Sequence, residues 1–142
     1  MIETILHNDS NILINGKYIN DLASLVLADH GLSSGIINII VTDDESLKKL
    51  KNKYFDENIY TDVIAFNIDE DPFEGEVYIS HHRVKDNAKS YNQTFQDEFK
   101  RVLIHGLLHL CGHEDYTDDE RHSMSLIEDK FLNQFNKEVV EE

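Results

Sequence analysis

The sequence predicts an α/β fold of the α+β kind, in which a mixed four-stranded sheet packs against about five helices. Three observations lead to this prediction. Segments rich in β-branched and aromatic residues alternate with segments of helical periodicity. A length of 142 residues fits one domain, and the chain contains one proline, Pro72, and no repeat or low-complexity tract. We therefore expect residues 1–142 to form a single domain.

Four strands are predicted, because four segments are dominated by residues that favour extended backbone. They span residues 2–6, 36–41, 62–68 and 76–80. Residues 67–75, which join the last two, are rich in turn formers and carboxylates; a solvated turn is favoured over a loop that closes over the functional site. The order β, α, β, α, two strands and three helices indicates a mixed sheet.

Five helices are predicted from capping signals and periodicity. The first spans residues 21–28 and is ended by Gly31. The other four begin at residues whose side chains can cap a helix: Thr42 with Glu45, Ser80, Thr94, and Thr117 with Glu120. The last helix carries apolar residues at helical spacing that should face the core: Met124, Ile127, Phe131 and Phe135.

The segment HGLLHLCGHED, residues 105–115, is the clearest functional signal. His105 and His109 are one helical turn apart on a zincin-like helix, so both imidazoles share a face and can bind one metal ion. On a continuous helix His105 and His113 would be about 12 Å apart, too far to share a zinc ion with bonds of about 2.1 Å. Gly112 suits a left-handed cap that turns the chain. The turned segment is therefore expected to supply the third ligand.

Two residues of the turned segment can complete the site, His113 and Asp115. The spacing favours Asp115, because two histidines, a glycine and a further ligand recur at these intervals in zinc peptidases of the metzincin type. Those enzymes carry a glutamate general base directly after the first histidine, where this chain has Gly106. A glycine side chain cannot accept a proton, which counts against a metallopeptidase.

The same segment resembles the signature of the YbeY family of metal-dependent endoribonucleases, whose usual form is HGxLHLxGxDH. Residues 60–66, YTDVIAF, are similar to the family's PTDVLSF strand, and residues 74–80, EGEVYIS, are similar to its LGDIVIS strand. The resemblance implies one Zn²⁺ per chain, held by His105, His109 and Asp115. It also implies cleavage of single-stranded RNA in 16S ribosomal RNA 3′-end maturation and ribosome quality control.

Two positions depart from the family pattern. Asp115 stands where the family usually has histidine, which adds negative charge and makes the ion a weaker Lewis acid; His113 is then the fallback ligand. Phe55 stands where the family often has an arginine linked to RNA cleavage, which could bind phosphate. Three basic residues are candidates to replace that arginine: Lys51, Lys53 and Arg101.

The proton acceptor for hydrolysis is not fixed by the motif. Three residues are candidates: Glu76, which matches an acidic position of the family's LGD strand, His113 and Glu114. A rival reading with another kind of function is a ribosome-associated assembly factor that has weak or no hydrolytic activity. The metallopeptidase is the third reading.

Charge limits the partners. The chain has 28 acidic and 13 basic residues, a formal net charge of −15, so it repels phosphates at long range. RNA cleavage then needs a local basic patch, for instance residues 81–85, or a ribosomal small-subunit protein or assembly GTPase that delivers ribosomal RNA. Neither DNA nor a membrane is expected as a partner. The single Cys111 excludes an internal disulfide and no apolar stretch reaches membrane-span length, so we expect a cytoplasmic protein.

Overall fold

A computed structural model describes residues 1–141. Four strands and five helices follow one another along the chain in the predicted order. The elements are β1 (Ile2–Asn8), α1 (Gly16–Asp29), β2 (Gly35–Thr42), α2 (Asp44–Phe55), β3 (Val63–Glu70), β4 (Phe73–Ser80), α3 (His81–Ser90), α4 (Phe95–Leu110) and α5 (Asp118–Gln134).

The four strands form one mixed sheet in the order β1-β2-β4-β3. Strands β1, β2 and β4 run parallel, and β3 pairs antiparallel with β4 at the edge. The predicted combination of a mixed four-stranded sheet with five helices is therefore confirmed. None of the helices within residues 1–141 has the length and apolar character needed to cross a membrane.

The core lies between the sheet and helices α1 and α4. Helix α1 buries Ile19 and Leu22 completely, and α4 does the same with Phe99 and Leu103. Helix α4 also contacts α3, α5 and both strands of the edge pair, so it is surrounded by protein over most of its length. A helix held on so many sides is a rigid support for the side chains that it carries.

Helix α4 approaches the sheet closely at Gly106. A Cβ atom added there would lie 2.7 Å from a Val77 methyl carbon and 3.0 Å from a Val63 methyl carbon. Both distances are shorter than ordinary van der Waals contact. Only glycine therefore fits between the ligand helix and the β3–β4 pair, and a glutamate has no room at this position.

Three predicted boundaries are wrong. Helix α1 begins five residues before residue 21, at Gly16, because the Asn15 side chain accepts a hydrogen bond from the Tyr18 backbone and caps it. Helix α2 is capped by Asp43 and not by Thr42, because Thr42 pairs with Ser80 as the last residue of β2. Most of residues 67–75 extend the β3–β4 hairpin, with only residues 71–72 left as the turn.

The remaining caps are confirmed. The side chains of Ser80 and Thr94 accept the expected backbone hydrogen bonds at the starts of α3 and α4, and Thr117 forms a capping box with Glu120 at the start of α5. In the predicted apolar stripe of the last helix, Met124, Phe131 and Phe135 are buried and Ile127 is half-buried.

Candidate metal centre

His105, His109 and Asp115 converge at the C-terminal end of α4. The two histidine Nε2 atoms are 3.0 Å apart, and Asp115 Oδ2 lies 3.1 Å from Nε2 of His105 and 3.4 Å from Nε2 of His109. Their side chains are 26 %, 30 % and 33 % exposed, so a substrate can reach them. Within residues 1–141 this is the one group of three His, Cys, Asp or Glu side chains close enough to hold a metal ion.

The other ring nitrogens of the two histidines have acceptors that fix their tautomers. His105 Nδ1 lies 2.7 Å from Glu128 Oε2, and His109 Nδ1 lies 2.9 Å from the His113 carbonyl oxygen. A carbonyl or carboxylate oxygen can only accept, so both Nδ1 atoms donate. Both Nε2 lone pairs are then left facing each other and the Asp115 carboxylate, an arrangement that needs a cation or a proton between the three atoms.

The donor set fits zinc. Two imidazoles and one carboxylate leave a fourth position of a tetrahedral site open, which is typical of catalytic zinc. Ligand atoms at about 2.1 Å from a tetrahedral ion lie about 3.4 Å apart, and the three distances found here are 3.0, 3.1 and 3.4 Å. A carboxylate and a carbonyl that orient the histidines are the usual support of such ligands.

The chain turns at Gly112, and this turn brings Asp115 next to His105 and His109. Gly112 has φ +94°, a left-handed conformation, and its N–H donates to the His109 carbonyl. The His113 side chain points away from the ligand group, and its Nε2 lies 2.8 Å from Nε2 of His30 at the end of α1. The structure therefore groups Asp115, and not the imidazole of His113, with His105 and His109.

Behind the ligands lies a charged cluster that sequence reasoning missed. Glu128, from α5, accepts from His105 and from Arg101 at 3.0 Å, while Arg101 also donates to Asp129 at 2.6 Å. Burial alone would lower the pKa of His105, but the hydrogen bond and charge of Glu128, together with the charges of Asp115 and Asp62, outweigh burial and raise it. Glu128 thus stabilises positive charge at the site.

Two further carboxyls belong to this region. Burial raises the pKa of Glu98 to about 7, and the neighbouring charge of Asp62 raises it as well. Burial also raises the pKa of Asp62, while the nearby His105 lowers it. Asp62 accepts a hydrogen bond from Asn87 at 3.1 Å and lines the cavity in front of the ligands.

A signal for Glu128 and Glu98 is visible in the sequence. Glu128 interrupts the apolar stripe of α5 between Met124 and Phe131, and Glu98 sits beside Phe99 on the buried side of α4. Glutamate is almost never fully buried without a partner. A carboxylate on a core-facing stripe therefore indicates a buried ion pair or a ligand-supporting group, even though the partner cannot be read from the sequence.

The ligands open into a cavity of about 510 Å³. Its wall includes carboxylates and aromatic rings as well as the three ligands. In the described chain, Lys51 is the only lysine or arginine in this wall, which also holds Glu57, Asp62 and Glu114. Phe55 lies there too and stacks on Phe66 with ring centroids 5.9 Å apart.

Of the three candidate general bases, two line this cavity and one does not. Glu76 alternates along β4 with Val77, which faces α4, so Glu76 lies on the opposite face of the sheet and contacts Tyr78 there. Glu76, one of the three candidate bases, therefore lies away from the ligand group. Glu114 is exposed and lines the cavity, and His113 lines it as well; burial and the neighbouring His30 lower the pKa of His113.

Most of the basic residues singled out in the sequence do not line this cavity. Arg101 is paired with Glu128 and Asp129, and the Lys53 ammonium lies 5.1 Å from the Tyr54 ring centroid. In the segment 81–85, which includes the first turn of α3, Arg83 pairs with Asp44 at 2.6 Å. Only Lys51 among these candidates faces the cavity, with its ammonium 4.6 Å from the Phe55 ring centroid.

Replacing Gly106 by alanine is expected to destabilise the protein by about 1–3 kcal/mol, because the added methyl group overpacks the contact with Val77 and Val63. Chemical denaturation would measure the change in the free energy of unfolding. Gly16→Ala is the matched control, because an added Cβ atom there has no neighbour within 4 Å. An unchanged stability of Gly106→Ala would show that the helix has more room than this contact allows.

Comparison with known proteins gives one consistent result. The family model described as Endoribonuclease YbeY matches residues 6–136. A protein named Endoribonuclease YbeY from Flavobacterium johnsoniae is 37% identical over 127 residues, covering 89% of this chain and 91% of that protein. The same-named protein of Flavobacterium psychrophilum is 38% identical over 129 residues, covering 90% of this chain and 91% of the relative.

A solved structure shares the fold. The solution structure of a Thermotoga maritima protein superimposes with a TM-score of 0.65 and 24% sequence identity. The match covers 95% of this chain and 89% of that protein. The overall fold is thus shared with a protein of low sequence similarity.

Proposed function

Because the chain belongs to the endoribonuclease YbeY family, we propose that it is a zinc-dependent endoribonuclease that cleaves single-stranded RNA. Its proposed role is in 16S ribosomal RNA 3′-end maturation and ribosome quality control. The observation that carries the proposal is the convergence of His105, His109 and Asp115 within a cavity open to solvent. Residues 1–142 are proposed to act as one hydrolase domain in the cytoplasm.

The proposed metal ligands are the two Nε2 atoms of His105 and His109 and the carboxylate of Asp115. Zinc bound there would lower the pKa of a water molecule and polarise a phosphate oxygen. Glu128 and the His113 carbonyl hold the two imidazoles in the ligating tautomer. The chain's own contribution is therefore a preorganised set of three ligands that leaves one side accessible to RNA.

The proton of the attacking water needs an acceptor in the same cavity. The cavity wall holds three carboxylates besides Asp115, and of these Glu114 is next to a ligand in sequence while Asp62 interacts with the charge of His105. Glu114 is exposed, lines the cavity and directly precedes Asp115. We assign the proton acceptor to Glu114, because the Asp62 carboxylate already accepts a hydrogen bond from Asn87.

Lys51 is proposed to replace the arginine that this family often places at the position of Phe55. Lys51 faces the cavity, whereas the other two candidates are paired or lie elsewhere. A cation is needed because the cavity wall is otherwise acidic and phosphate binding depends on neutralised charge. The net charge of −15 repels RNA, and the single charge of Lys51 offsets little of that repulsion. We therefore propose that a ribosomal small-subunit protein or assembly GTPase delivers the RNA.

Replacing Lys51 by alanine is expected to weaken binding of a single-stranded RNA oligonucleotide about tenfold, because one charged contact to phosphate is lost. The slope of log affinity against log salt should fall in magnitude by about 0.7. Fluorescence anisotropy on chelator-treated protein measures both quantities without cleavage. Lys51→Arg should restore them, and Lys53→Ala on the same helix should leave them unchanged. Equal effects of the two alanine variants would contradict the assignment.

The proposed activity is tested with two forms of one RNA sequence, a single strand and a fully paired duplex. Zinc-loaded protein should cleave the single strand and leave the duplex intact, and it should trim a 16S precursor at its 3′ end. A protein that binds ribosomal precursors without cleaving either RNA would instead be an assembly factor.

A further inference from the structure

We propose that His30 is a positioning residue for the metal centre. Through a hydrogen bond to the His113 side chain, it holds the segment 112–115 so that this segment presents Asp115 and the His113 carbonyl to the two ligand histidines. This inference rests on the proposed metal site and adds the C-cap residue of α1, a helix that supplies none of the proposed ligands.

Val26, His30 and His113 form a chain of hydrogen bonds, and the Val26 carbonyl at one end determines where the protons lie. His30 Nδ1 lies 2.8 Å from the Val26 carbonyl oxygen, which can only accept, so Nδ1 carries the proton. In neutral His30 the other nitrogen, Nε2, is then an acceptor. His113 Nε2, at 2.8 Å from it, must donate. The two rings meet edge to face, with an interplanar angle of 86°.

His113 joins this contact to the metal centre through its backbone. Its carbonyl oxygen accepts the hydrogen bond from His109 Nδ1 at 2.9 Å, and Asp115 follows two residues later. A shift of the His113 side chain would therefore move both the acceptor that orients one ligand and the third ligand itself. The contact with His30 acts on two of the three ligands at once.

The segment has few other attachments. Gly112 and Glu114 are exposed, and Tyr116 is 79% exposed, so packing contributes little to its position. Its first residues bond to the end of α4 through the backbone, and Arg121 donates to the carbonyl oxygens of Asp115 and Tyr116, both at 3.1 Å. His30 and Arg121 are thus the two side chains from outside the segment that hold it by the hydrogen bonds described here.

Zinc affinity, measured by competition with a chromogenic chelator, tests the proposal. His30→Ala should weaken binding about 10–100-fold, the range found when groups that orient metal ligands are removed. His30→Gln should stay close to wild type, because its Oε1 can accept from His113 Nε2–H. His122→Ala, an exposed histidine on α5, is the matched control and should not change affinity.

A second measurement separates positioning from general stability. The visible spectrum of the Co²⁺-loaded protein should change in His30→Ala, because ligand geometry is altered, and should be retained in His30→Gln. In a double-mutant cycle, adding His30→Ala to His113→Phe should cause little further loss of affinity. The cycle also covers the case in which His30→Ala does not fold, since His113→Phe breaks the same hydrogen bond from the other side.

The outcomes distinguish this proposal from the proposed function. If wild-type protein binds zinc and cleaves RNA but His30→Ala and His113→Phe bind zinc as tightly as wild type, the positioning role is wrong and the proposed function stands. The same holds if both variants lose only thermal stability. If wild-type protein binds no zinc, the proposed metal site itself fails and the positioning role fails with it.

Discussion

Replacing His109 by alanine is expected to abolish RNA cleavage, with a loss of at least about a thousandfold in kcat/KM. The ligand group would be reduced to His105 and Asp115, two atoms 3.1 Å apart, which cannot hold zinc as three ligands do. Zinc contributes several kilocalories per mole to stabilising charge in the transition state, which corresponds to about a thousandfold or more in rate.

Cleavage of single-stranded RNA and zinc content per chain should be measured on the same preparations. His122→Ala, exposed on α5, should keep both wild-type values. The His109 side chain is 30 % exposed, so its removal should leave the fold intact, which circular dichroism would check. A folded His109→Ala protein that still cleaves RNA at the wild-type rate would rule out a role for this site in catalysis.

Replacing Glu128 by glutamine is expected to lower zinc affinity about 10–100-fold. Glutamine has nearly the same shape, so the packing of α5 against α4 is kept while the negative charge is lost. Without that charge the Nδ1–H of His105 has a weaker acceptor, and the imidazole becomes a poorer electron donor toward a metal ion. Chelator competition measures the affinity directly.

Asp129→Asn is the matched control for Glu128→Gln. Asp129 also pairs with Arg101, at 2.6 Å, but it has no contact with His105. If removing the charge of either carboxylate that pairs with Arg101 were enough to weaken zinc binding, both Glu128→Gln and Asp129→Asn would weaken it. Equal affinities of wild type and Glu128→Gln would mean that Glu128 has only a structural role.

The fold could be predicted to a large extent because its signals are local. Ser80, Thr94 and Thr117 cap helices within the four residues that follow them, and the strands are short runs of a characteristic composition. The start of α2 could not be predicted in this way. Thr42 and Asp43 are both good caps, and the choice is made by sheet pairing of Thr42 with Ser80, which lies far away in the sequence.

The candidate site could be predicted only for the part that one helix and one turn supply. The spacing of His105 and His109 and the glycine after them indicate the ligand group without knowledge of the fold. Glu128 and His30 come from other helices, 23 and 83 residues from the side chains that they contact. Such contacts are set by helix packing, which the sequence pattern does not specify.

The face of the sheet on which Glu76 lies could not be predicted either, because it too depends on helix packing. Its match to an acidic position of a known strand says nothing about which side of the sheet faces α4. Close approach of α4 at Gly106 places Val77 on the ligand side, and alternation along β4 then puts Glu76 on the other side. The packing of one helix thus places Glu76 away from the ligand group, although sequence similarity makes it a candidate base.

A zinc titration of chelator-treated protein tests the link between this metal centre and RNA cleavage most directly. Cleavage of single-stranded RNA would be followed while zinc is added in steps and bound zinc is counted per chain. We expect no cleavage without zinc, a linear rise, and a plateau when one zinc ion is bound per chain. Full activity of the metal-free protein, or no activity after one zinc ion has bound, would contradict this explanation of the site.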